Sequence, residues 1–214
     1  MGRGRSAGYA DQRELILERA AELFARGGYP GTSMNQVAEA CGLSKATLYH
    51  YYKDKYALLL SIADGHVSRL QSIVREALAD QLTPEGQMRV LIQRLVQEYA
   101  HAQNAHRVLT EDVKFLEPED RERVLDKERE VVRGFAQVVG ALRPDLQEAA
   151  MSKPLTMLLF GMINWLFTWM KPQGRLDHEA MAPVVADLFL GGIGAVDSPA
   201  TAGSASRNRL SRTP

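Results

Sequence analysis

The sequence predicts an all-α protein. Apolar residues recur at spacings of three and four along nearly the whole chain, no run alternates as a strand does, and Ser, Thr, Gly and Pro fall where helices begin and end. The first helix is expected over about residues 11–26, with Leu15, Leu17, Ala20, Ala21, Leu23 and Phe24 on its apolar side and Gly27-Gly28 ending it. Thr32 or Ser33 caps a short second helix carrying Met34, Val37 and Ala38; Gly42 breaks it, and Ser44 caps a third that reaches about Tyr51. Beyond Lys53-Asp54 the helices lengthen. One ends near Ala79, and Thr83-Pro84-Glu85 opens the next with a cap, a proline at the first helical position and an acid in the first turn. Another starts near Pro118 and stops before Pro144. Two more, over about residues 146–170 and 178–193, are joined by the Lys171-Pro172-Gln173-Gly174 turn, with Pro154 a candidate kink in the first of them. Four segments result: a flexible arm over 1–10, a helix-turn-helix domain over 11–56, a helical domain over 57–194 and a disordered tail over 195–214.

Composition narrows the classes of function. Lys+Arg and Asp+Glu both number 26, so the formal charge is zero and attraction to an acidic partner has to come from a local patch. The one cysteine, Cys41, cannot form an internal disulfide, and the opening MGRGRSAGYADQRE lacks the apolar stretch of a secretory signal, so a cytoplasmic protein is expected. The most apolar run, residues 155–170, is shorter than the roughly 20 residues that span a bilayer and carries Asn164; it reads as a buried helix without membrane contact. Catalysis is not expected. The five histidines are scattered, His101 and His106 do not share a helical face, and no phosphate-binding glycine loop or nucleophile motif is present, so neither metal nor cofactor is foreseen.

One stretch, CGLSKATLYHYYKDK over residues 41–55, concentrates tyrosine, histidine and lysine on a short helix. Two short helices joined through Ala40-Cys41-Gly42-Leu43 have the form of a helix-turn-helix, whose second helix enters the DNA major groove. At about 100° per residue, Leu48 and Tyr52 lie side by side toward a core with Val37, Ala38 and Leu43. Ala46, Thr47, Tyr49 and His50 spread over the opposite face, with Tyr51 on its margin. That outward set suits a duplex: Ala46 allows close approach, Thr47 offers a hydroxyl and a methyl, and His50 can bond a base edge or a phosphate. Tyr49 and Tyr51 carry hydroxyls long enough to reach backbone oxygens. Ser44 and Lys45 at the helix start, Lys55 beyond its end and Thr32 on the preceding helix are candidate phosphate contacts. Arg3 and Arg5 are candidates for a minor-groove arm. The alternative at this point is an ordinary bundle surface.

These residues resemble the DNA-binding domain of the TetR family of bacterial transcriptional regulators. The resemblance covers about residues 13–60: Ala21, Leu23 and Phe24 with Gly28-Tyr29, then Gly31-Thr32-Ser33, Val37-Ala38-Glu39-Ala40, the run from Gly42 to Tyr52, Lys53-Asp54-Lys55 and Leu58. Tyr52 stands where phenylalanine is usual and Cys41 where alanine is common. The resemblance implies an N-terminal three-helix DNA-binding domain, a C-terminal domain that binds a small effector and forms a homodimer, and a palindromic double-stranded operator. Repression relieved by effector is the family's usual mode. A helical ligand-binding or adaptor protein that never touches DNA is the rival reading.

In the C-terminal half, Leu158, Phe160, Gly161 and Met162 with Val184, Val185, Leu188, Phe189 and Ile193 are candidates for a dimer face or for internal core. Trp165 and Trp169 lie one turn apart, beside Asn164. Polar atoms in so apolar a neighbourhood suggest an effector cavity lined by Met88, Tyr99, Phe115, Asn164, Trp165 and Trp169, with plain core packing the alternative for each. The order Gly-x-x-Asn-Trp followed by Lys-Pro-x-Gly is similar to family members that answer to acyl-coenzyme A thioesters. That likeness implies an acyl or aryl group in the pocket and cations such as Arg107, Lys114 or Lys171 at its mouth.

Overall fold

Helical periodicity becomes ten α-helices and one 3-10 turn among the described residues, with no strand. The computed structural model describes residues 3–170 and 176–197, with backbone alone for 3–7 and Phe167. The Lys171-Pro172-Gln173-Gly174 turn and the tail beyond 197 lie outside the described residues, as do the side chains of Arg3 and Arg5. In chain order the helices are α1 (Arg3–Gly27), α2 (Met34–Ala40), α3 (Lys45–Tyr51), α4 (Lys55–Ala79), α5 (Pro84–His101), α6 (Gln103–Asp112), α7 (Pro118–Leu142), α8 (Pro144–Glu148), α9 (Ser152–Trp169) and α10 (His178–Ile193), with the 3-10 turn Val113–Phe115 before α7. None is long and apolar enough to cross a membrane, among the described residues.

Contacts divide the chain into two compact units, residues up to 70 with 101–128, and 71–100 with those from 129 onward. The first unit therefore takes in more than the helix-turn-helix expected over 11–56: it adds the first part of α4, all of α6 and the start of α7. Its core holds Ile16, Ala20, Phe24, Val37, Leu48, Leu58 and Leu59, each essentially inaccessible. Removing one of the larger of these side chains, Ile, Leu, Val or Phe, from water contributes about 1.5–3 kcal/mol. Polar links fasten α4 to the start of α7. The Tyr56 hydroxyl donates to Asp120 Oδ2 at 2.6 Å and accepts from the Glu117 N–H at 3.0 Å, and Lys127 Nζ donates to Asp64 Oδ1 at 2.5 Å and Ser68 Oγ at 2.8 Å.

The second unit packs Met88, Leu91, Leu95 and Tyr99 of α5 and Phe135, Val138 and Val139 of α7 with Leu159, Ile163, Val185 and Phe189 of the last two helices, all buried. Phe135 and Phe160 meet edge to face with centroids 5.0 Å apart. A Cβ on Gly134 would fall 2.3 Å from Val74 Cγ1, so glycine is what lets α7 approach α4 here. Arg143 satisfies the open end of α10, donating to the Ile193 carbonyl at 2.6 Å and the Val196 carbonyl at 2.9 Å.

Three local departures from expectation have physical reasons. Helix α1 begins at Arg3, so the arm foreseen over residues 1–10 is helical from its third residue; once a helix is nucleated each added residue costs little, and no proline stops it. Helix α6 is additional: its polar sequence has little apolar signal beyond Val108 and Leu109. The helix expected over 146–170 divides into α8 and α9 at Ala149–Met151, where Ala150 takes φ 58°, and not at Pro154. Pro154 sits in the first turn of α9, where an N–H has no intrahelical acceptor in any case.

Candidate nucleic-acid interface

Two capped helices build this site. Ser33 caps α2 through a reciprocal pair: Gln36 N–H donates to Ser33 Oγ at 3.3 Å, and Ser33 N–H donates to Gln36 Oε1 at 2.8 Å. The chain then turns at Gly42, whose φ of 65° is the left-handed conformation that favours glycine, and Leu43 N–H closes the turn on the Ala38 carbonyl at 2.9 Å. Ser44 caps α3, accepting from Thr47 N–H at 3.1 Å while its hydroxyl and that of Thr47 lie 2.8 Å apart. Such caps stabilise a helix end by about 1 kcal/mol. For a seven-residue helix this decides whether the first turn forms at all.

Leu48 and Tyr52 anchor α3 from below, both buried, and Arg13 Nε donates to the Tyr52 hydroxyl at 3.3 Å. Tyrosine in place of the more usual phenylalanine thus has a partner for its oxygen. The opposite face is open: Ser44, Lys45, Ala46, Thr47, Tyr49 and His50 are exposed and Tyr51 is half-buried. Lys45 Nζ stands 5.9 Å from the centre of the Tyr49 ring, and Tyr51 meets His50 edge-on at 5.9 Å. The hydroxyls of Tyr49 and Tyr51 have no hydrogen-bond partner among the described residues.

Two predicted contacts have other partners. Thr32 is only 5% exposed, and its hydroxyl donates to the carbonyls of Gly28 at 3.0 Å and Leu23 at 3.3 Å, which holds the turn after α1. Its hydroxyl is therefore not available to a phosphate, and Ser33 is the residue at the start of α2. Lys55 Nζ donates to the carbonyls of Tyr29 and Thr32, both at 2.7 Å, and of Pro30 at 3.3 Å, and lies 4.4 Å from the centre of the Tyr29 ring. Three carbonyls and a ring around one ammonium make Lys55 a clamp on that turn. The exposed cation past α3 is Lys53, which the sequence pattern marked only as part of the motif. Gly31 belongs to the same turn: a Cβ there would lie 2.7 Å from the Gly27 carbonyl oxygen.

The residues of the second unit expected to line an effector cavity do not share one environment. Met88 and Tyr99 are buried in the second unit, whereas Asn164 is exposed and Trp165 and Trp169 are 67% and 52% exposed. Phe115 belongs to the first unit, where its ring lies 5.6 Å from that of Tyr29. The tryptophans instead share an outward face of α9 with Met157, Leu158 and Gly161, and Val184 and Leu188 are exposed on α10, which packs against α9. Phe160, Val185, Phe189 and Ile193, also candidates for that face, are buried in the second unit's own core. Of the foreseen cations, Arg107 is paired with Glu111 at 2.9 Å, Lys114 stands 5.3 Å from the centre of the Phe115 ring, and Lys171 lies outside the described residues. Two open clefts of about 300 and 450 Å³ mark the second unit, one between Gln71–Leu78 and Glu130–Gln137, the other beside Arg89, Arg143 and Asp187. Neither is lined by the predicted effector residues.

Buried titratable groups sit in the first unit. His66 Nε2 and His106 Nδ1 are 3.3 Å apart, and burial pushes the two imidazoles down to about 4 and about 3. Burial also raises the Cys41 thiol, which reduces its thiolate fraction and argues against a redox sensor at the turn. No group of three or more His, Cys, Asp or Glu suited to a metal occurs among the described residues.

A family model described as "Bacterial regulatory proteins, tetR family" matches residues 16–62, and one described as "Tetracyclin repressor-like, C-terminal domain" matches residues 81–193. The chain belongs to the TetR family of bacterial transcriptional regulators. A solved TetR-family regulator from Bordetella parapertussis is 34% identical with TM-score 0.80, covering 87% of this chain and 97% of that one. The fatty acid metabolism regulator protein of Bacillus subtilis is 22% identical over 185 residues, 83% of this chain and 93% of its own length. The transcriptional activator FasR of Mycolicibacterium smegmatis is 28% identical over 109 residues and is matched over half its length. AibR, solved in complex with isovaleryl coenzyme A and operator DNA, shares the fold at 23% identity and TM-score 0.70, with 83% of this chain and 97% of that one covered. Membership of a family of DNA-binding regulators sets aside the enzyme reading and the adaptor that never touches DNA.

Proposed function

We propose that this TetR-family regulator acts as a homodimer in the cytoplasm, represses from a palindromic operator, and is released by an acyl- or aryl-coenzyme A thioester. The observation that carries the dimer is the bare face of α9 and α10. Leu158, Trp165 and Leu188 are each about two-thirds exposed, and Met157, Val184 and Trp169 are exposed on the same two packed helices. Exposed apolar side chains grouped in this way mark an interaction surface. A second copy is the occupant that supplies the same patch, as a twofold interface requires. Two copies present two α3 helices, and such a dimer reads half-sites about one helical turn or a multiple apart.

On the DNA, Lys45 and Lys53 supply the cations, the hydroxyls of Tyr49 and Tyr51 take phosphate oxygens, and Ala46, Thr47 and His50 meet base edges. Ser44 holds the helix start against the backbone, where its N-terminal amides favour a phosphate. Lys55 and Thr32 act one step back, by fixing the turn that carries α2.

The thioester reading rests on AibR, whose solved complex holds isovaleryl coenzyme A, and on the Gly161-x-x-Asn164-Trp165 order. Release follows linkage: the effector binds more tightly to the arrangement in which the two α3 helices no longer fit the groove spacing. A thermal-shift series tests it. Acyl-coenzyme A thioesters are expected to raise the unfolding midpoint and to release an operator duplex, while coenzyme A alone and the free acids do neither. Stabilisation by the free acids alone would replace the thioester with the acid as effector.

A further inference from the structure

Helix α1 extends ahead of residue 16, where the family's DNA-binding segment begins to match, and this added length carries Tyr9 to α3. The Tyr9 ring stacks on Tyr51 with centroids 4.8 Å apart and planes 25° from parallel, and Tyr51 in turn meets His50 edge-on. The three rings form one row from the start of α1 to the recognition helix. Tyr9 remains 41% exposed, and its hydroxyl has no partner among the described residues. Tyr51 and His50 belong to the short helix α3, near its last turn, where fraying is easiest. A stacked neighbour from a longer helix removes that freedom before DNA arrives.

We propose that Tyr9 is a positioning residue of the nucleic-acid interface, outside the helix-turn-helix itself: its ring fixes Tyr51, and through Tyr51 holds His50 in the orientation that reads the groove, and its hydroxyl bonds a phosphate oxygen beside it. The inference rests on the DNA-binding reading of α3. The two parts of the role separate by chemistry. A phosphate contact carries no sequence information, so losing the hydroxyl weakens every duplex alike, whereas losing the ring frees the side chains that discriminate.

The test uses the full chain and a duplex selected by the wild-type protein from a random-sequence pool, with an unrelated duplex of equal length beside it. Binding is followed by fluorescence anisotropy at fixed salt. Tyr9→Phe is expected to weaken both duplexes by a similar factor, about threefold to tenfold, as one hydrogen bond to a charged group implies. Tyr9→Ala is expected to weaken the selected duplex by at least about tenfold and to reduce its preference over the unrelated one. In a Tyr51→Ala background, the loss of preference on removing the Tyr9 ring should largely disappear. A mere surface staple predicts instead a lower unfolding midpoint for Tyr9→Ala with affinity and preference unchanged, and that outcome overturns the inference. Selection of no duplex by the wild-type protein would overturn the DNA-binding reading, and Tyr9's role with it.

Discussion

Two exposed surfaces of this chain carry aromatic rings, and they differ in what surrounds them. On α3, Tyr49 and Tyr51 end in hydroxyls, stand among Lys45, Thr47 and His50, and rest on a helix capped at its start and anchored by Leu48 and Tyr52. On α9 and α10, Trp165 and Trp169 stand among Met157, Leu158 and Leu188 with little polar beyond Asn164 and Thr168. The first surface keeps its polar groups in water and, on the proposed reading, meets a charged partner. The second exposes apolar rings to water and, on the proposed reading, is covered by a second copy of itself. Exposure alone does not distinguish binding sites; the polarity of the neighbours does.

The largest effect expected from this contrast is on the apolar face. Leu188→Glu would bury two uncompensated carboxylates in the proposed twofold interface, so association of the two copies should weaken by about a thousandfold or more, seen as monomer by analytical ultracentrifugation. An unchanged oligomer would move the partner surface elsewhere. Next in size, Lys55→Ala should lower stability by about 1–3 kcal/mol in chemical denaturation, because three carbonyls of the turn lose one ammonium. Tyr49→Ala should leave stability within about 0.5 kcal/mol, since its ring contributes nothing to the core. Equal behaviour of these two variants would erase the division between clamp and contact.

A third test concerns the buried histidine pair of the first unit. His66 and His106 are held neutral when folded, with values of about 4 and about 3, but titrate near 6.5 when unfolded. The unfolded chain therefore binds more protons below that pH. Stability should be full above about pH 6.5 and fall steadily as pH drops toward 4, and His106→Phe should flatten the curve. Smallest of all, Cys41→Ala should change neither stability by more than about 1 kcal/mol nor DNA binding under oxidant.

Much of the interface was legible in the linear chain because its local signals agree. Ser44 caps α3, Gly42 turns the chain, and Leu48 and Tyr52 share one side, so the exposed set follows from periodicity. The partners of Thr32 and Lys55 are not legible in the sequence for a different reason: a hydroxyl and an ammonium near such a motif suit a phosphate and a backbone carbonyl equally, and the carbonyls they bond belong to the folded turn after α1. Trp165 and Trp169 show the limit of hydrophobicity as a guide. It signals that a side chain avoids water without saying whether its own unit or a second copy covers it. Helix α6 is hidden in the sequence because Val108 and Leu109 are too few apolar anchors to stand out in ten residues.

In the proposed regulator the outward face of α3 selects DNA sequence. The most direct test of this is the Thr47→Ala, Tyr49→Ala, His50→Ala triple variant, compared with wild type for binding to the selected duplex at equal salt, with stability and oligomeric state measured alongside. A drop in specific affinity of at least about a hundredfold, with folding and assembly unchanged, is the predicted result. Retained affinity and sequence preference in the triple variant would contradict it.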